Sequence, residues 1–236
     1  MNSLDTIQFA FMLICAPVAI TIILVAVPFG QTVKWAVGII LAAWFALTAA
    51  TQIPDIGPFP GGLFGIVLPV ILVSLFMAFN PVARRAIDQM NVPLLVILHV
   101  TRLAGGLFLL LALEGRLSNP FAFYAGWGDI LAATLAIPAA FMVWRAKAGW
   151  EKWVLAWNVI GFVDFMSAVG LGVTSAAGSP LQLFFESPGT GILSELPWRF
   201  IPSYFVPLYI MIHIALFIRL VPAVFGKRIA ANPLAA

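Results

Sequence analysis

Seven stretches of mostly apolar residues, each long enough to cross a bilayer, follow one another along this chain. They lie near 8–27, 33–50, 62–79, 93–113, 128–143, 153–174 and 201–221. A run of about 20 apolar residues reads as a membrane-spanning helix, because a helix satisfies every backbone N–H and C=O within the segment itself. The composition leaves little room for anything else. Of 236 residues 63% are hydrophobic and 9% charged, whereas a soluble domain carries roughly 25% charged residues to cover its surface. The sequence therefore predicts an all-α integral membrane protein, a bundle of about seven transmembrane helices. Residues 1–236 make one polytopic domain, with no linker or charge block interrupting them.

An odd number of spans puts the termini on opposite sides. One set of connections carries Lys34, Arg84, Arg85, Arg145, Lys147 and Lys152, with Lys227 and Arg228 in the tail. The other carries Arg116 and Arg199 with Asp55, Glu114, Asp129, Glu186 and Glu195. By the positive-inside rule the first set is cytoplasmic, the N-terminus outside and the C-terminus inside. Trp35, Trp144, Trp150, Trp153 and Trp157 would mark the inner interface, Trp127 and Trp198 the outer one. The start of the chain lacks a basic leader region, so the first span is expected to be retained. A net charge of +3, confined to short loops, is a topology signal, not a nucleic-acid footprint. A single cysteine, Cys15, rules out an internal disulfide. The outer connection 175–200 holds an apolar run, 181–185, too short to span; it would rest on the membrane surface or pack over the bundle as a loop or lid.

Against that background the ionisable residues inside the spans stand out. A charge in hydrocarbon costs about 2.5–3.5 kcal/mol on the insertion scale, so such groups usually pair and usually serve a task. Arg102 falls about 14 Å along its helix from residue 93, and Asp164 about 16 Å from residue 153, measured from the same side. Equal depth and opposite charge predict an Arg102–Asp164 pair. His99 lies three residues before Arg102 and shares its face. His213 falls at similar depth on the last span, with Tyr209 one turn away. Asn158 and Ser167 border the same place. Losing Asp164 would then leave Arg102 uncompensated, at about 3–5 kcal/mol.

Small residues at Ala132, Ala136 and Ala140, at Ala168 and Gly172, and at Gly105 and Gly106 would let helices approach closely. Pro17, Pro69, Pro138 and Pro207 would kink their spans. The segment Val92-Pro93-Leu94 precedes His99 by the spacing at which Val206-Pro207-Leu208 precedes His213, an echo that so biased a composition produces readily. Asp129, after Gly126-Trp127-Gly128, would cap the outer start of the fifth helix or serve there as an outer gate or ligand site.

The ion pair could simply fix helix register; several functions also fit a central polar site of His99, Arg102, Asn158, Asp164, Tyr209 and His213. One is binding or translocation of a small solute, anion or protons, with Arg102 as a fixed positive site and His213 as the better proton carrier, since Arg102 stands one turn from His99. A second is redox, with His99 and His213 as the two ligands of one b-type haem. A third is a seven-helix receptor or sensor. An enzyme is the less favoured class. A retinal site would need a lysine within a span, and there is no His-Glu-x-x-His run, Gly-rich phosphate loop or serine nucleophile elbow. The expected partners are the lipid bilayer and a small molecule or ion, not nucleic acid.

The segments Arg102-Leu103-Ala104-Gly105-Gly106, Ala125-Gly126-Trp127-Gly128-Asp129, Trp157-Asn158 with Gly161 and Asp164, and Ile201-Pro202 followed by Val206-Pro207-Leu208 and His213 resemble an uncharacterised family of bacterial multi-pass inner-membrane proteins. The likeness covers the fourth to seventh spans. It implies a bacterial inner membrane and supports the choice of residues; it carries no activity with it.

Overall fold

The computed structural model describes the backbone of residues 2–50 and 61–226, with side chains for 2–50 and 67–226. Asp55, Lys227 and Arg228, used above to orient the chain, lie outside the described residues. Among the described residues there is helix and no strand. Helix α1 (Ser3–Ala26) opens with a capping box, in which the Asn2 side chain accepts from the Asp5 amide and Asp5 accepts from that of Asn2. Then come α2 (Gln31–Ala50), α3 (Gly61–Phe79), α4 (Pro81–Gln89), α5 (Val92–Leu98), a 3₁₀ segment (His99–Gly106), α6 (Leu107–Leu113), α7 (Asn119–Trp144), α8 (Trp150–Thr174), a π-helical turn (Ile201–Phe205) and α9 (Val206–Phe225).

Six of these stretches are long and apolar enough to cross a membrane, taking α5 to α6 and the π turn to α9 as continuous rods. Val67–Phe79 with Pro81–Gln89, bent by 86°, would make a seventh. The bend has a local cause. Asn80 caps α4, its side chain accepting from the amides of Val82 and Ala83 at 2.9 and 3.1 Å, and Pro81 starts that helix, where its missing N–H is not needed. Helix α4 exposes Arg84 and Arg85 and buries Ile87, so the expected basic loop is a helix lying across the others. Its last carbonyls are met by Arg219 of α9, whose Nη1 donates to the Met90 and Ile87 oxygens.

The fifth span is longer than its apolar run. It begins at Asn119, with Pro120 in the first turn, instead of near residue 128. Gly149, at φ 77°, makes the tight reversal between α7 and α8, which then pack along each other. Ala132 and Ala136 are fully buried and Ala140 nearly so, the close approach that a row of small residues permits. Helix α7 also lies against the whole α5–3₁₀–α6 line, α8 against α9, and α1 against α5. Outward-facing side chains are large and apolar, such as Ile39, Ile40 and Leu47 on α2 and Leu72, Leu75 and Phe76 on α3. Exposed apolar surface on this scale belongs in lipid, and the protein is an all-α membrane protein.

Candidate functional site

The 3₁₀ segment carries the central residues. In a 3₁₀ helix residues i and i+3 eclipse one another, so His99, Arg102 and Gly105 stack on one face. Thr101 Oγ1 donates to the Leu98 carbonyl at 2.7 Å, and the tandem Gly105-Gly106 weakens the α-helical preference at the other end. Arg102 points into the bundle with only 1% of its side chain exposed. Nε donates to Asp129 Oδ1 at 2.7 Å, Nη2 to Asp164 Oδ2, and Nη1 to the Gly161 carbonyl at 3.4 Å. The guanidinium carbon lies 3.8 Å from the centre of the Phe165 ring, a cation–π contact strengthened by the lack of water. Asp129 is about 15 Å along α7 from Asn119, and Asp164 about 15 Å along α8 from Thr174. These are neighbouring ends of two antiparallel helices, so both carboxylates meet Arg102 at one depth.

Three glycines make the meeting possible. A Cβ on Gly105 would stand 2.1 Å from Asp129 Oδ2, and one on Gly128 1.6 Å from Asp164 Oδ1. A Cβ on Gly161 would stand 2.7 Å from His213 Cε1 and 3.1 Å from both Arg102 Nη1 and His213 Nε2. Each glycine surrenders its side-chain space to a charged or aromatic group from a neighbouring helix. Beside Arg102 and Asp129 a cavity of about 40 Å³ opens, lined also by Thr101, Tyr209, Met12 and Cys15. A buried water needs about 10–15 Å³ measured this way, so the cavity has room for a few.

Next to this layer lie the two histidines, both fully buried, with ring centres 4.5 Å apart. His213 Nδ1 bonds Asn158 Oδ1 at 2.7 Å, while Asn158 Nδ2 donates to the His213 carbonyl at 3.1 Å. That pairing makes the amide oxygen the acceptor and places the proton of neutral His213 on Nδ1, leaving Nε2 with a free lone pair. Among the described residues Nε2 has no hydrogen-bond partner, and neither nitrogen of His99 has one. Trp157 packs edge-on against His99 at 5.0 Å and donates its indole N–H to the Ala132 carbonyl. Tyr209 lies 4.8 Å from His99, and its hydroxyl is hydrogen-bonded to Thr101.

All six residues expected to share a polar centre are thus together, with corrections around them. Asp129 is not a cap: α7 starts about three turns earlier, at Ser118–Asn119, and Asp129 is the second counter-ion of Arg102. Arg102 consequently keeps a partner when Asp164 is lost. Asp164 is bonded to Arg102 and not to either histidine. Trp157 and Trp198 are buried inside the protein and do not face outward; Trp198 donates to Asp5 at 2.9 Å. Ser167 faces outward and bonds the Val163 carbonyl. Two imidazoles in ring contact leave no room for a haem plane between them, so the arrangement does not fit bis-histidine haem ligation. Among the described residues no three His, Cys, Asp or Glu side chains gather as a metal site.

Residues 60–221 match the family described as Domain of unknown function (DUF8737), and the chain belongs to that family. The matched region contains Arg102, Asp129, Asp164 and both histidines, and it reaches one span further towards the N-terminus than the likeness read from the sequence. No curated protein and no solved structure matches the chain.

Proposed function

We propose that this protein binds a small solute or protons at the Arg102 centre and passes them across a membrane. One observation carries the reading: a guanidinium shared by two carboxylates, midway along membrane-spanning helices and bordered by a cavity with room for water. Ion-paired groups at such a depth are costly to retain and mark transport pathways in other membrane proteins. Asp129 changes the class of cargo. A lone Arg–Asp pair could serve an anion, but here the fixed charges sum to minus one. The centre repels anions and favours a proton or a small cation.

The helices are oriented in this proposal with seven spans, N-terminus outside and C-terminus cytoplasmic, in a bacterial inner membrane. Reporter fusions after Arg85 and Lys147 then read as cytoplasmic, and one within 175–197 as external. The exposed Leu181, Leu183 and Phe185 of that outer connection suit contact with lipid. The functional reading is tested in liposomes that hold the purified protein and a pH-sensitive dye. After a pH jump the parent equilibrates faster than empty vesicles, and Asp164→Asn does not. Parent vesicles no faster than empty ones, with potassium and sodium gradients equally ineffective, would remove transport as the function.

A further inference from the structure

The way Arg102 holds its two partners is specific. Nε–H and Nη2–H lie on one edge of the guanidinium and point in parallel, the fork that commonly takes both oxygens of a single carboxylate. Here the fork takes Oδ1 of Asp129 and Oδ2 of Asp164. Two oxygens from different carboxylates therefore lie close together on one edge of one guanidinium. Gly128 permits this, since Asp164 packs against the α7 backbone at the residue next to Asp129. Like carboxylates at such spacing in a water-poor site share a proton instead of both ionising.

Among the described residues the surroundings supply no other charge to balance them. From the 3₁₀ segment come His99 and Thr101, from α8 Asn158, from α9 Tyr209 and His213, and from α1 Cys15. All are uncharged in their ordinary neutral forms, so one guanidinium faces two carboxylates. The second observation is independent of that count. His213 Nε2 is fully buried, has no hydrogen-bond partner among the described residues, and stands with Arg102 Nη1 around the gap left by Gly161. An orphaned acceptor there calls for a proton donor.

We propose that Asp129 and Asp164 hold one exchangeable proton between them on the fork of Arg102, with Nε2 of His213 as its second seat. This rests on the transport reading for its purpose and names H⁺ as the cargo or the driving ion. The cavity at Thr101 and Tyr209 has room for water beside Asp129. In the transfer the carboxyl O–H breaks, its electron pair stays on the oxygen, and an N–H forms on the Nε2 lone pair. Before the move the charges are guanidinium plus one, carboxylate minus one, carboxylic acid and imidazole zero. Afterwards they are plus one, two carboxylates, and imidazolium plus one. The sum is zero in both states, so the proton changes seats without leaving a net charge in the membrane. That removes the objection that Arg102 repels an imidazolium beside it, because the second carboxylate offsets the repulsion.

Infrared difference spectroscopy of the purified protein in detergent, titrated with acid and base, tests this without any transport assay. The parent should show the C=O stretch of one protonated carboxyl, shifted in D₂O and lost as base removes one proton per chain. Asp129→Asn and Asp164→Asn should each abolish that band, since the remaining carboxylate and Arg102 balance. His213→Gln should keep the band but lose the imidazolium signals that the parent shows where the band weakens without loss of a proton from the chain. A folded parent with no such band at any pH would overturn the proposal, and the parent spectrum suffices even if a variant fails to fold. A band that sodium, but not choline, removes at constant pH would overturn it in favour of a metal cation. Loss of flux in liposomes with the band intact would sink the transport reading and leave the shared proton standing.

Discussion

Two arginines in this chain each serve two carboxylates, in opposite surroundings. Arg116, past the end of α6, donates to Asp5 at 2.8 Å and to Glu114 at 3.0 Å with 26% of its side chain exposed. Arg102 donates to Asp129 and Asp164 with 1% exposed. The charge count is the same. Around Arg116 water screens the spare negative charge, and the cluster serves as a tie. Asn2 Nδ2 donates to Glu114 at 3.1 Å and Trp198 to Asp5, so the start of α1 is fastened to the end of α6 and to the segment before α9. Around Arg102 only a small cavity admits water, and screening is weak. An unequal ion cluster is mere structure where solvent reaches it, and becomes a site for a proton where solvent does not.

The largest effect that could break this contrast is loss of the buried cation. Arg102→Gln leaves two carboxylates side by side in a low dielectric and should cost about 3–5 kcal/mol, read as chemical or thermal unfolding in detergent. Equal losses from Arg102→Gln and Arg116→Gln would erase the distinction. Next in size are the glycines. Gly161→Ala drives a methyl into the His213 ring and the Arg102 guanidinium, and should cost about 1–3 kcal/mol and reduce flux. Gly170→Ala is the control on the same helix, where a Cβ meets nothing within 4 Å.

Smaller still is Asp164→Asn. Arg102 keeps Asp129, and the amide oxygen can still accept, so the stability loss should be about 1 kcal/mol while flux disappears. A loss as large as that of Arg102→Gln would mean that Asp129 does not compensate. At the bottom stands Arg116→Gln, about 0–1 kcal/mol for a solvent-exposed cluster, shrinking further in high salt.

Much of this centre was legible because depth along a helix can be counted. Arg102 and Asp164 could be matched by rise per residue, and His99, Tyr209, Asn158 and His213 followed at the same level. Asp129 escaped because the fifth apolar run was started at residue 128, which made a mid-helix carboxylate look terminal. The stretch from Asn119 is helical because Pro120 begins it and the bundle covers one face, with Phe121, Ala122, Ala125 and Gly126 buried. Counting back from Trp144 would have placed Asp129 about 22 Å in, deep in the membrane. Apolar patterning has no means of distinguishing a 3₁₀ from an α stretch, and the stacking of His99 on Arg102 depends on it. Helix α4 and the Arg219 bonds to its last carbonyls were missed as well, since a short basic segment between spans reads as a loop.

The sharing of one guanidinium by two helices can be observed directly by solid-state NMR on the protein in lipid bilayers, with nitrogen-labelled arginine and carbon-labelled aspartate. Arg102 should show through-space couplings to two aspartate carboxyl carbons, one lost in Asp129→Asn and the other in Asp164→Asn. A single coupled carboxyl, removed by only one of those substitutions, would contradict the shared fork and with it the charge imbalance on which the proton site depends.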